Sequence, residues 1–428
     1  MSSVCIHGLG YIGLPTAAML ANYGHDVYGY DADETVRGDL QNGDVHLDEP
    51  GLRAFVTQAL ESAQLEITDE IVQAKYHIIC VPTPFDQTER TADLSYLRDA
   101  AHGLAPLLRA GDTVILESTV PPGTTVEQLQ PILESTGLTA GTDFALVHCP
   151  ETVLPGNIIS ELRENDRTLG GVNGVSTESA VRLYDSFVSG EIRTTDDPTT
   201  AEFVKLIQNT YRDVNIALAN EIARLADDYG IDSREAIDLA NAHPRVDILQ
   251  PGPGVGGHCL PIDPWFLGTG SDQIELISTA REVNDGMTEF VIELLERELN
   301  SLDGTKIAIL GVAYKGNVSD ARNSPGLELA RTLADRETAE LATDGGPTGD
   351  IEVEIHDPHV TDPTLDLADL DSSTAGADAL VVTTDHDEYA DLDPEPIAER
   401  MHEALLIDTK AHLDAPRWRE AGFAVRQI

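Results

Sequence analysis

The sequence predicts an α/β protein with two Rossmann-like, doubly wound domains joined by a central helical domain. Two observations lead to this prediction. Buried-strand runs alternate with helical apolar periods from residue 4 and again from residue 306, and each series opens with a strand that leads into a glycine turn. Long helical periods fill the middle of the chain. Because 428 residues exceed one ordinary core, we expect domains at 1–196, 197–300 and 301–428.

The first βαβ unit contains a dinucleotide fingerprint. It reads strand, glycine turn, helix and strand, at 4–7, 8–13, 14–23 and 26–31. Gly8 permits the tight turn, Gly10 lets the backbone approach a pyrophosphate, and Gly13 lets the helix pack closely on the strand. Asp31 ends the second strand, where a carboxylate accepts hydrogen bonds from the ribose hydroxyls. A purely structural glycine turn is the alternative, but the flanking elements and the acid favour NAD.

Three further buried-strand runs, at 77–81, 113–117 and 144–148, each lead into a short loop rich in proline and polar residues. The carboxyl ends of parallel strands line the ligand crevice in such sheets. The loops at 82–84, 118–123 and 149–151 are therefore candidates for the cofactor or substrate cleft. The second series predicts strands at 306–311, 352–356, 379–383 and 405–408, with a helix from 325.

The central region predicts two helices, at 199–229 and 274–300, with Gly230 ending the first. Lys205 and Asn209 are four residues apart on the first helix, so they lie on one face. Either could be an ordinary solvated helix residue. The segment 344–350 reads as a surface loop.

A glycine loop at 251–264 delivers Cys259, with Asp263 four residues on. Glycines allow positive φ and expose backbone N–H groups, while the flanking prolines restrict the rest of the loop. This composition suits a thiol and a row of donors pressed against a ligand. Taken alone, the loop would more often be a simple turn around an inert cysteine.

The formal net charge of −48, from 75 acidic and 27 basic residues, is the outlier of the composition. It argues against nucleic acid as a partner, because phosphate binding needs a basic face. The acids are spread along the chain, as in proteins of extreme halophiles, and we expect best function at high salt. No apolar run reaches membrane-spanning length, no basic leader precedes the first strand, and the four cysteines are scattered. These features favour a cytoplasmic protein with free thiols and no structural metal.

With these motifs in this order, and with Tyr314-Lys315 after them, the chain resembles the UDP-glucose/GDP-mannose dehydrogenase family over nearly its whole length. The cysteine loop resembles most the branch that acts on UDP-N-acetyl-D-mannosamine and related UDP-N-acetylhexosamines. Two departures from the UDP-glucose enzymes support this: Ile262 stands where they have a lysine, and Pro155 where they have a glutamate.

The resemblance implies a four-electron oxidation at C6 of a UDP-sugar with two NAD per turnover. Cys259 would be the nucleophile, Lys205 and Asn209 would stabilise the alkoxide, Asp263 and Thr119 would order water, and Glu151 would activate the hydrolytic water. The implied NAD contacts are Gly8, Gly10, Tyr11, Ile12, Gly13, Asp31, Pro82, Thr83, Thr119 and Arg322. The implied substrate contacts are Glu151, Lys205, Asn209, Arg245, Gly256, Gly257 and Lys315.

The resemblance also implies a homodimer formed by the central helices, with Arg245 reaching the substrate across the interface and the C-terminal domain holding UDP. Several alternatives stay open. The sugar could be UDP-N-acetylglucosamine or UDP-glucose, and Glu151 could simply cap a helix. A two-electron hydroxyacid dehydrogenase of similar build, which needs no nucleophilic cysteine, and a non-catalytic nucleotide-binding protein are the alternatives of other classes.

Overall fold

The computed structural model describes residues 1–47, 49–154, 156–340 and 350–428. It divides into two compact units, one of residues 1–208 and 265–271 and the other of residues 209–264 and 272–428. Most of the predicted surface loop at 344–350 lies outside the described residues.

The first unit is built on a predominantly parallel sheet, with a small antiparallel hairpin beside it. Its strands are β1 (Ser3–His7), β2 (Asp26–Tyr30), β3 (Leu65–Ile67), β4 (Tyr76–Ile79), β5 (Phe85–Asp86), β6 (Thr91–Ala92), β7 (Thr113–Leu116), β8 (Ala145–His148), β9 (Arg167–Gly171) and β10 (Ile192–Thr195). The eight-stranded sheet has the order β10-β9-β8-β7-β4-β1-β2-β3, and β5 and β6 form the hairpin. Among the described strands of the large sheet, β8 and β9 form the one antiparallel pair.

Six of these strands, β3-β2-β1-β4-β7-β8, have the order of a dinucleotide-binding sheet, with its topological switch point between β1 and β4. Alternate residues of each strand enter different cores, because successive side chains point to opposite faces. Ile6 and Ile78 belong to one buried cluster, and Ile79 and Leu116 belong to another. The sheet is therefore covered on both faces.

The helices that start in the first unit are α1 (Gly13–Asn22), α2 (Glu34–Gln41), α3 (Leu52–Glu61), α4 (Ser95–Leu104), α5 (Gln130–Glu134), α6 (Ile158–Glu164), α7 (Gly174–Tyr184) and α8 (Pro198–Tyr229). A 3₁₀ turn at Ala105–Leu107 and a π-helical turn at Thr125–Leu129 precede α5. Helix α8 ends before Gly230, which has φ +66° as a C-terminal glycine often does.

The hairpin of the first unit packs on a segment from much later in the chain. The Phe85 and Phe266 ring centroids are 6.0 Å apart. The Arg90 guanidinium lies 4.2 Å from the centre of the Trp265 ring, within cation–π range. These contacts help to explain why residues 265–271 group with the first unit.

The second unit contains a five-stranded parallel sheet. Its strands are β11 (Lys306–Leu310), β12 (Glu352–His356), β13 (Ala379–Val382), β14 (Leu405–Asp408) and β15 (Ala424–Gln427), in the order β12-β11-β13-β14-β15. This is the order of the flavodoxin-like doubly wound sheets, with the switch point between β11 and β13. Ile307 and Leu310 point into different buried clusters, so both faces are again covered. The α/β architecture predicted from the sequence is confirmed.

The remaining helices are α9 (Ser233–Asn241), α10 (Asp263–Leu267), α11 (Glu275–Asp285), α12 (Met287–Leu299), α13 (Pro325–Glu340), α14 (Leu370–Thr374), α15 (Asp387–Ala390), α16 (Pro394–Arg400) and α17 (Ala415–Glu420). The helical stretch predicted at 274–300 is formed by α11 and α12, which Gly286 separates. Glycine is a poor helix former, which accounts for the break between them. No helix within the described residues has the length and apolarity to cross a bilayer.

Candidate active site

The three glycines of the turn after β1 differ in what surrounds them. Gly8 has φ +94°, and a Cβ there would lie 2.7 Å from the Cys80 carbonyl oxygen. A Cβ on Gly13 would lie 1.9 Å from the Gly8 oxygen, so the packing of α1 requires a glycine. A Cβ on Gly10 would have no atom of the described residues within 4 Å. Because no described neighbour requires a glycine at position 10, this space at the start of α1 fits an approaching pyrophosphate.

Asp31 follows β2 and is partly exposed. Its carboxylate accepts hydrogen bonds from the Leu9 backbone N–H at 2.7 Å and from the Asp33 backbone N–H at 2.9 Å. Each carboxylate oxygen can accept a further bond, as ribose binding would require. Beside it, the Tyr11 hydroxyl donates to Glu49, and Ile12 immediately precedes α1.

The loops after β4 and β7 are tied together. The Thr83 hydroxyl donates to the Thr119 carbonyl oxygen at 2.7 Å, and the Ser118 hydroxyl donates to the Val81 carbonyl oxygen at 2.7 Å. Pro82 is exposed and Thr119 is partly exposed. The structure thus brings the predicted cofactor residues Thr83 and Thr119 together.

In the first unit, Glu151 and Lys205 form an ion pair. The Lys205 Nζ atom lies 3.5 Å from Glu151 Oε2, and the side chains are 10% and 11% exposed. The Val153 backbone N–H also donates to Glu151, which holds the loop after β8 in place. Two of the predicted catalytic residues are therefore in contact, and neither is a solvated surface charge.

In the second unit, the Asn209 side-chain amide donates to Asp263 Oδ2 at 2.6 Å, and both residues are buried. Asp263 starts α10, and its backbone N–H donates to the Cys259 carbonyl oxygen at 2.9 Å. Cys259 itself is exposed. The loop therefore folds back on itself around an accessible thiol, and Ile262, whose side chain is buried, forms part of the turn. The other specificity position, Pro155, lies outside the described residues.

Gly256 and Gly257 pack against the segment after β11. A Cβ on Gly256 would lie 2.6 Å from the Asn323 carbonyl oxygen. Gly257 has φ +86°, and its Cβ would lie 2.9 Å from the Tyr314 ring. The Gly257 backbone N–H donates to the Arg322 carbonyl oxygen at 3.0 Å. Close protein packing thus accounts for both glycines, and their predicted contact with substrate stays a prediction.

Arg322 forms a two-pronged ion pair with Asp320, with the shortest N–O distance 2.6 Å. Hydrogen bonding to Asp320 raises the pKa of Arg322. Lys315 and Arg245 are exposed. Lys315 and Arg245 are predicted to contact a ligand or a second subunit. These contacts, and the contact of Arg322 with NAD, stay predictions.

Sequence reasoning missed a buried pair that anchors the Lys315 loop. The Asn317 backbone N–H donates to His386 Nδ1 at 2.9 Å, and His386 Nε2 donates to Asp357 Oδ2 at 3.1 Å. Aligning the two βαβ patterns would have flagged Asp357, because it follows β12 as Asp31 follows β2. It also missed Asp320 and Glu202, for which the sequence carries no comparable signal.

Three segments of the chain match models of one family. Residues 2–188 match the NAD binding domain of the UDP-glucose/GDP-mannose dehydrogenase family, residues 199–286 its central domain and residues 308–415 its UDP binding domain. UDP-N-acetyl-D-mannosamine dehydrogenase of Methanococcus vannielii is 42% identical over 436 residues, covering 100% of this chain and 97% of the relative.

Solved structures agree with these matches. The structure of UDP-D-ManNAc dehydrogenase from Pyrococcus horikoshii has a TM-score of 0.89 and 42% identity, covering 100% of this chain and 99% of that one. The UDP-N-acetyl-mannosamine dehydrogenase Cap5O from Staphylococcus aureus has a TM-score of 0.84 and 39% identity, with coverage of 97% and 96%. The chain therefore belongs to the UDP-glucose/GDP-mannose dehydrogenase family, with its NAD-binding, central and UDP-binding domains.

Proposed function

We propose that this protein oxidises the C6 alcohol of UDP-N-acetyl-D-mannosamine to the carboxylate through a covalent adduct on Cys259. The observation that carries the proposal is the sequence of contacts along α8. Lys205 pairs with Glu151, and one turn later Asn209 pairs with Asp263, whose helix follows directly on the loop that exposes Cys259. The names of the relatives support the choice of sugar.

NAD supplies the hydride acceptor for both oxidation steps when it is bound. The residues that would hold it are Gly8, Gly10, Tyr11, Ile12, Gly13, Asp31, Pro82, Thr83 and Thr119, with Arg322 as a further predicted contact. The open space at Gly10 and the remaining acceptor capacity of Asp31 fit the pyrophosphate and the adenosine ribose respectively.

The first oxidation needs a group that stabilises negative charge on the C6 oxygen. The alcohol gives up a hydride and a proton, and the oxygen is most negative as the proton departs. Lys205 provides a buried positive charge and Asn209 provides an amide N–H for that oxygen. A nearly buried ammonium is more effective here than a solvated one, because less water screens it.

The second oxidation passes through Cys259. Its thiolate adds to the aldehyde carbon and forms a thiohemiacetal, which becomes a thioester on loss of a second hydride. Water then cleaves the thioester, releasing the carboxylate and the thiolate, and Glu151 is the residue proposed to take the proton from that water. Thr119 and Asp263 are proposed to order water. In total, one alcohol, one water and two NAD give one carboxylate, two NADH and three protons.

The substrate is tested by turnover in molar salt with NAD and, separately, UDP-N-acetyl-D-mannosamine, UDP-N-acetylglucosamine, UDP-N-acetylgalactosamine and UDP-glucose. We expect the highest kcat/KM with the first sugar and two NADH per uronate. A higher kcat/KM with any other sugar overturns the assignment. One NADH per substrate would instead favour a two-electron dehydrogenase.

Cys259→Ser tests the covalent step. A serine hydroxyl is a much weaker nucleophile than a thiolate at neutral pH, so we expect uronate formation to fall by about 10³-fold or more with NAD affinity unchanged. Cys5→Ala, which removes a buried thiol from β1, is the control and should keep turnover. Undiminished uronate production by Cys259→Ser contradicts the mechanism.

We further propose a homodimer formed through α8. Large apolar side chains are exposed along this helix at Phe203, Ile207, Tyr211, Leu218, Leu225 and Tyr229. An exposed apolar stripe of this length is typical of a protein–protein interface. Leu218→Glu should shift the mass in solution from dimer to monomer, measured by light scattering.

The proposed role of Arg245 across that interface has its own test. Arg245→Ala and Cys259→Ser homodimers should each be inactive, but a 1:1 mixture should recover about a quarter of wild-type activity, because each hybrid dimer rebuilds one complete site. No recovery after confirmed subunit exchange places Arg245 within its own subunit's site.

The charge of −48 supports a further proposal, that the enzyme works best in concentrated salt. Self-repulsion of so many acids weakens the fold in dilute buffer and is screened in molar salt. Full activity after dialysis into dilute buffer would contradict this. A cytoplasmic location also stays a prediction, to which the four unbridged cysteines contribute.

A further inference from the structure

Glu202 is a buried acid on α8 whose hydrogen bonds with described residues reach one loop. Its side chain is almost completely inaccessible, and the residue is 1% exposed. The Gly123 backbone N–H donates to Oε2 at 2.5 Å, while the Thr125 backbone N–H and hydroxyl donate to Oε1 at 2.7 and 2.6 Å. Only a carboxylate accepts on both oxygens, so the chemistry of this site calls for an acid.

The loop that Glu202 holds is the one that carries Thr119. Its start is fixed to the neighbouring strand end, where Thr83 and Ser118 make the hydrogen bonds described above. Glu202 fixes its other end, at Gly123, which has φ +91°. Thr119 therefore lies in a segment that is held at both ends, and one of the two anchors is a single side chain.

The other end of this connection is the helix turn that carries Lys205. Glu202 and Lys205 are three residues apart on α8, so their side chains leave the helix on the same side. Lys205 in turn pairs with Glu151 in the loop after β8. One helix turn thus holds the loops that follow β7 and β8.

We propose that Glu202 is a positioning residue for the oxidation: its carboxylate fixes the Thr119 loop at a constant spacing from Lys205. This inference rests on the proposed function for the role of Lys205 and Thr119, and on the hydrogen bonds alone for the fixing of the loop. Glu202 is buried, so in this proposal it acts through the loop that it holds. A change in spacing acts on kcat more than on KM, because alignment of the reacting groups is lost while binding contacts remain.

Glu202→Gln is the principal variant. Glutamine keeps the shape but offers one acceptor oxygen, so its NH₂ group faces a backbone donor. We expect kcat to fall by about 10- to 100-fold while the KM values for UDP-sugar and NAD stay within about threefold. Glu178→Gln, at an exposed position of α7 away from the proposed dimer interface, is the control and should leave both parameters unchanged.

Thr125→Val tests the same proposal if Glu202→Gln fails to fold. It removes only the hydroxyl donor and keeps the side-chain shape, and we expect a kcat loss of about two- to tenfold. Glu202→Asp should recover part of the loss of Glu202→Gln, because the carboxylate is kept. A variant that melts at lower temperature but retains wild-type kcat when fully folded overturns the positioning role.

Hydrogen exchange tests the fixing of the loop independently of turnover. The amides of Gly123 and Thr125 should exchange faster in Glu202→Gln than in wild type without any substrate present. Unchanged protection overturns the loop-fixing inference. If instead the wild-type enzyme oxidises none of the UDP-sugars, the proposed function fails, and the exchange result still decides whether Glu202 holds the loop.

Discussion

The turn after β1 and the turn after β11 start alike and continue differently. Gly8 and Gly311 have nearly the same φ, +94° and +96°. In each unit a second glycine at the following helix meets the oxygen of the first: a Cβ would lie 1.9 Å from it at Gly13 and 2.3 Å from it at Gly326. In the first unit the two glycines are close in sequence. In the second, the segment 312–324 is inserted between them and carries Tyr314, Lys315, Asp320 and Arg322.

The acids that follow β2 and β12, Asp31 and Asp357, also differ in their surroundings. Asp31 is partly exposed and accepts two backbone hydrogen bonds. Asp357 is buried, and it accepts from Val312, Ala313, His359, Val360 and His386. Burial alone would raise the pKa of Asp357, but His386 and the backbone donors hold it well below the usual range. Asp31 keeps the acceptor capacity that its predicted ribose contact needs, while Asp357 is used by donors of its own turn.

This comparison teaches that one turn geometry supports two ways of binding. In the first unit the predicted pyrophosphate contact is the backbone at Gly10, and the predicted ribose contact is Asp31. The second unit uses its acid internally and presents inserted side chains instead. Four predictions test this difference, beginning with the largest expected effect of a single residue.

Asp357→Ala should destabilise the second unit by about 3–5 kcal/mol, because it removes the acceptor of several buried donors at once. The loss of stability is measured by chemical denaturation, with hydrogen exchange of the amides of the second unit as the readout. Asp357→Asn, which keeps one acceptor oxygen, should lose less. If Asp357→Ala is as stable as wild type, the acid has no internal role and the contrast with Asp31 disappears.

Gly326→Ala should lower the free energy of unfolding by about 1–3 kcal/mol, because its Cβ overlaps a backbone oxygen that cannot move freely. Gly10→Ala should leave the thermal midpoint unchanged, since no described residue lies within 4 Å of its Cβ, and should weaken NAD binding. Scanning calorimetry measures the stability of both variants, and titration calorimetry measures NAD affinity. Normal NAD affinity of Gly10→Ala would show that the open space is not the pyrophosphate site.

Acid should destabilise the first unit before the second. Burial lowers the pKa of His7 to about 3, of His77 to about 4 and of His148 to about 3. As the pH falls below 6.5, the unfolded chain takes up protons that the folded unit cannot. Each of these histidines therefore lowers the free energy of unfolding by about 2 kcal/mol between pH 7 and pH 5. The depressed pKa of Asp357 acts only at lower pH, where its carboxylate would be protonated.

Hydrogen exchange resolved by unit, measured against pH at constant salt, checks this order. His77→Gln should reduce the acid sensitivity of the first unit, while the exposed His46→Gln should not. Loss of the second unit at the higher pH contradicts the assignment of the acid response to these histidines.

Asp31→Asn should raise the dissociation constant for NAD by about tenfold, or about 1.4 kcal/mol, because charge-assisted hydrogen bonds are stronger than neutral ones. The amide oxygen can still accept from Leu9, so the turn should survive. Asp33→Asn is the control, because that acid caps α2 from an exposed position. Equal effects of the two substitutions would argue against a specific ribose contact.

Much of the fold was predictable because buried parallel strands have a strong sequence pattern. The strands around residues 4, 26, 77, 306 and 379 agree with the structure to within about two residues. Strands β9 and β10 were not predicted, because Arg167–Gly171 ends in two glycines and Ile192–Thr195 is short and has no buried apolar run. Pairing within the sheet determines both strands. The domain limits 1–196, 197–300 and 301–428 stay predictions, and the two compact units divide the chain differently.

The site was predictable where motifs carry it. The pairs Glu151–Lys205 and Asn209–Asp263 join residues that the resemblance had singled out, although the sequence alone did not indicate which of them would touch. Glu202 was missed because its partner Thr125 is 77 residues away and no local pattern links the two. Contacts of this kind depend on the tertiary fold.

The packing of the hairpin on Trp265 and Phe266 has a consequence for the modularity of the chain. The first unit is not one continuous stretch of sequence, because it needs residues 265–271, which follow directly on Asp263 and Pro264. A fragment that ends at residue 208 would leave Phe85 and Arg90 without their aromatic partners. Recombination between relatives that exchanges the hairpin would therefore have to exchange residues 265–271 with it.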